Sequence, residues 1–111
     1  MATVTASFTW PGPDTDVLRI FVEPTPEPWG AEAVDEDVLL FRALNDREEL
    51  TDRIAGLEIV GFLDFDRWED LPETDLQWRL PGQPAQPLAD LLRTLQPELR
   101  ARVEAPALVQ R

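Results

Sequence analysis

An α+β domain, with an antiparallel sheet of four or five strands and C-terminal helices packed on it, is what this 111-residue sequence predicts. Three observations carry that expectation. Residues 3–10 alternate apolar and polar side chains with the period of two of a half-buried strand. Residues 57–65 form a nearly continuous apolar run, the pattern of a strand at the centre of a covered sheet. Leu88, Leu91, Leu92, Leu95, Leu99 and Val103 recur at helical spacing.

The elements follow in order. Val4, Ala6, Phe8 and Trp10 share one face of the first strand, and Pro11-Gly12-Pro13-Asp14 ends it as a turn. Val17 to Glu23 returns as a second strand with Leu18, Ile20 and Val22 on one side, so a hairpin is expected. Pro24-Thr25-Pro26-Glu27-Pro28, Trp29-Gly30 and the acidic stretch to Asp37 read as a long excursion between strands. Val38 to Leu44 is a central strand. Asn45 with Glu48 three residues later matches a capping box, early acids and late Arg53 suit the helix dipole, and Gly56 suits a stop. A two-turn helix over residues 46–54 is therefore predicted, with a long hairpin turn as the alternative. Leu57 to Phe65 is the next strand, and Leu76, Trp78 and Leu80 alternate as an edge strand before Pro81-Gly82. Pro87 fits the first turn of a helix, and Pro97 predicts a bend or a restart in the leucine-rich segment. The organisation is one domain over 1–111, sheet-rich over 1–80 and helical over 81–111, because neither part holds a core of its own.

Composition narrows the chemistry. The chain has no Cys, His or Tyr, and all ten basic residues are Arg, so thiolate, imidazole and lysine chemistry are excluded. No cofactor is expected. A net charge of −12 repels phosphate backbones and anionic membranes, so direct nucleic-acid or membrane binding is not expected and a basic protein partner is. The first residues carry neither a basic n-region nor an apolar h-region, which places the protein in the cytoplasm as an expectation. Charge is uneven: residues 14–37 hold eight acids and one Arg, whereas residues 76–111 hold three acids and five Arg.

Two groups of residues are candidates for a site. Trp29 in the Pro-rich excursion and Trp68 in the acidic stretch are candidate partner anchors, since Trp is enriched at interface hot spots. Trp10 and Trp78 continue buried faces and belong to the core. Leu91, Leu95 and Leu99 are expected to bind a partner, as a stripe packed on the sheet of the same chain or exchanged onto a second copy. The second group is acidic. Six carboxylates lie within residues 64–75, and Asp64, Asp66, Asp70 and Asp75 fall at positions one, three, seven and twelve of the calcium-loop pattern. Trp68 and Glu69 occupy its fifth and sixth positions, where a ligand and a glycine are needed. Glu58, flanked by Leu57 and Ile59, is expected to pair with Arg42 or Arg53, and Asp66 or Asp70 to cap a short helical turn.

Asp16-Val17-Leu18-Arg19-Ile20, Asp37-Val38-Leu39-Leu40-Phe41 and Ile54-Ala55-Gly56-Leu57-Glu58-Ile59-Val60 together resemble small bacterial proteins of unknown function, whose pattern runs from an aspartate-led strand to a Gly-Ile-Glu-Ile strand. The likeness spans residues 14–63, with Leu57 in place of the isoleucine and Arg19 where an aromatic is usual. The resemblance implies a small antiparallel sheet and no established activity. The functional expectation is a non-catalytic, acidic protein-interaction domain, homo-oligomeric through a sheet edge or the C-terminal helices. The alternative is a divalent-metal or small-ligand module centred on residues 64–75.

Overall fold

The computed structural model describes residues 2–104 of the chain. Six strands form one sheet: β1 (Ala2–Thr9), β2 (Val17–Glu23), β3 (Trp29–Asp35), β4 (Val38–Leu44), β5 (Leu50–Val60) and β6 (Leu76–Arg79), in the order β3-β4-β5-β2-β1-β6. Helix α1 (Leu88–Glu104) follows the last strand. The α+β class holds. The sheet is mixed rather than purely antiparallel, because β6 runs parallel to β1 with Ala2 opposite Leu76 and Thr5 opposite Arg79.

Strands β2 to β5 make a Greek key. β3, β4 and β5 are joined by tight turns, and β5 lies beside β2 with Ile20 opposite Leu57 and Leu18 opposite Ile59. The segment expected to be an excursion between strands is therefore partly a strand: Trp29 to Asp35 pairs with β4, and only residues 24–28 remain a loop. That loop crosses the ends of two strands with its own Pro26 buried, and the Pro28 carbonyl accepts the Leu44 amide at 2.8 Å. Stiff, extended proline-rich chain suits such a crossing.

The helix expected over residues 46–54 is absent, and its residues form the turn and first half of β5. Asn45 does act as a cap, but of a hairpin loop. Its Oδ1 accepts the amides of Arg47 and Glu49 at 2.9 and 3.0 Å, while its own amide donates to the Glu49 carbonyl. The same short side chain that starts a helix also closes an Asx turn. Pairing of Leu44 with Leu50, and on to Val38 with Ile59, then decides for strand. The local register shifts along β5 between Leu50 and Gly56, an irregularity that breaks the strand alternation there.

β5 ends at Val60 rather than running to Phe65. Gly61 turns the chain at φ 71°, a left-handed conformation suited to glycine, into a 3₁₀ turn at Phe62–Asp64. A second 3₁₀ turn at Trp68–Asp70 has no side-chain cap, so neither Asp66 nor Asp70 plays the expected capping role. The connection then passes to the far edge of the sheet, where β6 joins β1. Gln86 continues the outer side of β6 by exchanging two backbone hydrogen bonds with Trp78, at 2.8 and 3.0 Å.

One core lies between the sheet and α1. Ala6, Leu18, Ile20, Val38, Leu40, Leu57 and Ile59 from the strands meet Phe62, Phe65, Leu71 and Trp78, and the helix closes it with Leu88, Leu91, Leu92, Leu95 and Leu99. Among the described residues the C-terminal segment is a single helix that continues through Pro97, not two, and residues 105–111 of the expected helical part lie outside the described residues. Gln96, the residue before that proline, donates its side-chain amide to the carbonyls of Phe62 and Phe65, both at 2.8 Å, and pins the helix to the turn after β5. No helix among the described residues is long and apolar enough to cross a membrane.

Candidate functional site

The face of the sheet opposite α1 carries an aromatic cluster. Phe21 lies one position out of step with Leu18, Ile20 and Val22, so on a strand it points to the other side. It stands opposite Gly56, which stands opposite Phe41, and Ala31 completes the row on β3. The Phe21 and Phe41 rings stack with centroids 5.3 Å apart, and Trp29 leans over both at 5.5 and 4.5 Å. Phe41 is buried by this arrangement, while Trp29 keeps 36% of its surface exposed. A side chain at position 56 would destroy the row: an added Cβ would lie 2.3 Å from the Ile20 carbonyl and 2.9 Å from the Phe21 ring. The glycine that resembled a helix stop is the floor on which an aromatic ring rests.

Of the charged pairs nearby, one lies on this face, one on the α1 side of the sheet, and one ties a turn to the connection after β5. Arg19 donates to Glu58 at 2.7 Å across β2 and β5, so the Glu58 partner is Arg19 and not Arg42 or Arg53. Arg42 instead reaches Glu32 of β3 at 2.8 Å. Arg67, from the connection after β5, donates to Asp35 at 2.8 Å and to Asp37 at 3.0 Å, tying the β3–β4 turn to that connection. Its hydrogen bond holds the Asp35 carboxyl below the usual carboxylate range, helped by the Glu36 amide, and Asp35 and Asp37 in turn raise the Arg67 guanidinium.

Strand β3 is the end of the sheet, and its outer edge has no neighbour among the described residues. Edges are usually guarded by charge, proline or irregular backbone. Here the guard is partial: the register slips between Ala33 and Asp35, leaving Trp29 to Ala33 regular, with Glu32 the one charged residue in that stretch.

The residues singled out from sequence are dispersed. Trp29 lies on β3, the last strand of the sheet among the described residues, with 36% of its surface exposed. Trp68 is half-buried against Phe62 and Phe65, with ring centroids 6.4 and 5.1 Å away and both edge-on. Arg93 covers it further at 5.7 Å. Leu91, Leu95 and Leu99 are 1%, 2% and 0% exposed and lie against the sheet of their own chain, so they present no surface to a partner. Asp64, Asp66, Asp70 and Asp75 are all exposed, and no group of three or more carboxylates among the described residues is close enough to hold a metal ion. The calcium-loop spacing fails because two 3₁₀ turns and a crossing segment spread those acids along the connection instead of folding them round a centre.

Phe21, Phe41 and Arg67 were not legible as site residues. The available signal was Phe21 itself, a large aromatic on the polar register of an otherwise alternating strand. Among the described residues no charged side chain is buried, so the arrangement offers surface charge and apolar contact rather than a desolvated acid–base pair. Comparison of the chain with protein-family models, with curated proteins and with solved structures finds no match.

Proposed function

We propose that the chain is a non-catalytic protein-interaction domain that takes a basic, extended partner segment along the open edge of β3. The observation that carries this reading is the continuity between an edge that no strand among the described residues flanks and an aromatic cluster on the face opposite α1. An added strand would gain main-chain hydrogen bonds from Trp29 to Ala33, and its alternate side chains would fall on two different surfaces. One set would lie beside Trp29, Ala31 and the Phe41 ring, and the other beside Glu32.

Charge favours a basic occupant. Residues 23–37 hold six acids and no Arg. A second copy of this chain would bring the same acids to the same edge, so self-association there is opposed at low salt and a basic partner is steered toward it. The test is a titration of the full chain with a ten-residue peptide alternating Arg with Val, followed by amide NMR. Shifts confined to β3 and the Trp29 indole, weakened by salt and abolished when Glu replaces Arg in the peptide, support the reading. Equal binding of the acidic peptide, or shifts elsewhere, would overturn it.

A further inference from the structure

A cavity of about 870 Å³ opens at the other side of the molecule, on the edge of β1. Its origin is topological. β6 pairs with β1 only from Ala2 to Thr5, so no strand among the described residues flanks Ala6 to Thr9 on that side. The β1–β2 turn and Arg102 of α1 flank the gap, which stays open to solvent. Phe8, Trp10, Pro11 and Val17 supply apolar walls, and Arg19 and Arg102 stand among the lining residues.

The pocket is formed in advance of any ligand. The Trp10 indole N–H donates to Asp16 Oδ1 at 2.8 Å, and the second oxygen of that carboxylate accepts the Leu63 amide at 2.9 Å. The turn wall is thus fastened to the chain that leaves β5, and its largest ring keeps one orientation. Preformed, largely apolar concavities of roughly 300–1,000 Å³ with a few oriented polar groups are the usual form of small-molecule sites.

Charge selects the ligand class. In an acidic chain this concavity carries two guanidinium groups and one carboxylate. Arg19 is engaged by Glu58 at 2.7 Å. Arg102 lies 5.8 Å from the centroid of the Phe8 ring and forms no ion pair among the described residues. Because the Arg102 guanidinium already stands over the Phe8 ring, a flat apolar body against Trp10, Pro11 and the edge of Phe8 would bring an attached anionic group to that guanidinium, which presents a planar fork of donors suited to a carboxylate. We propose that this cavity binds a small amphipathic carboxylate, with an aromatic or acyl body against Trp10, Pro11 and the edge of Phe8 and its head group on Arg102.

The test uses two probes of equal shape, naphthalene-2-carboxylate and naphthalene-2-methanol, titrated into the full chain and read by amide and indole NMR. The carboxylate is expected to move the Trp10 indole signal and the amides of Phe8 and Val17, and to bind about tenfold more tightly than the alcohol, the factor given by one charge-assisted hydrogen bond. Arg102→Gln, a change at an exposed position, is expected to bring the two probes to equal affinity while leaving signals remote from the cavity in place. Equal affinity of both probes for the unaltered chain, unchanged preference in Arg102→Gln, or an unmoved Trp10 indole at about 10 mM carboxylate would each overturn the proposal.

Discussion

Asp16 holds Trp10 and Leu63 together, taking the indole N–H on one carboxylate oxygen and a backbone amide 47 residues further along the chain on the other. Its own carbonyl accepts the Gly61 amide at 2.7 Å. The start of β2, the end of β5 and the β1–β2 turn are therefore joined at one residue. Replacing the side chain strands two donors, each in a partly buried setting. Asp16→Ala is expected to cost about 2 kcal/mol in urea unfolding and Asp16→Asn less, since the amide retains one acceptor. A loss below about 0.5 kcal/mol in the alanine variant would show that water replaces the carboxylate freely.

Gly56→Ala is expected to destabilise by about 1–3 kcal/mol, the range for forcing extra volume into a packed site. The Ile20 carbonyl is backbone and cannot step aside. The penalty should therefore persist when Phe21 is also truncated to Ala, although the ring contact is then gone. A double-mutant cycle by thermal or urea unfolding checks this, and full relief by Phe21→Ala would place the conflict on the ring instead.

Glu48 occupies the left-handed region at φ 61° in the β4–β5 turn. Glu48→Gly is expected to raise stability by about 1 kcal/mol, because a side chain is strained there and glycine is not. Asn45→Ala should lower it by about 1 kcal/mol through loss of the bonds to the Arg47 and Glu49 amides. The same pair of changes would have opposite sign for Glu48 in a helix, so unfolding midpoints discriminate between the two structures.

Leu95→Ala is expected to cost about 2–5 kcal/mol, as for other leucines removed from a closed core. Leu95 is 2% exposed within one chain. Light scattering at low salt should give the same mass before and after the substitution. A fall in mass on Leu95→Ala would return the leucine stripe to an interface.

Stability between pH 5 and the acid limit should depend on Arg67. Asp35 has a folded-state value held below the usual carboxylate range, so its contribution is complete above its unfolded value and is lost as pH falls through the lowered one. Arg67→Gln is expected to lower the melting temperature near pH 6 and to lose that difference from the parent chain as the pH drops. A gap that stays constant down to the acid limit would assign the effect of Arg67 to packing on Phe65, whose ring centroid lies 5.2 Å from the guanidinium carbon.

Some of this was written in the residues and some was not. The period of two in residues 3–10 and 17–23 led to β1 and β2, and the spacing of Leu88 to Leu99 led to α1, because each pattern demands one buried face whatever covers it. Asn45 to Gly56 misled. Its capping chemistry is common to helices and turns, and only the pairing of Leu44 with Leu50 and Phe41 with Gly56 separates the two. Trp29 to Asp35 has no strong alternation, since Gly30, Ala31 and Ala33 are too small to mark a face, so β3 is a strand by virtue of β4.

Sequence by itself determined the acidic surface, the missing chemistry of Cys, His, Lys and Tyr, and the apolar faces of the strongest strands and of the helix. Only the tertiary structure decided the parallel placement of β6, the position of β3 at the end of the sheet, the face covered by α1, and the meeting of Phe21, Phe41 and Trp29. The physical reason is range. Composition and periodicity report what each segment must do with water, whereas pairing across the sheet is a competition among distant segments that is settled by the hydrogen bonds and buried area of the whole.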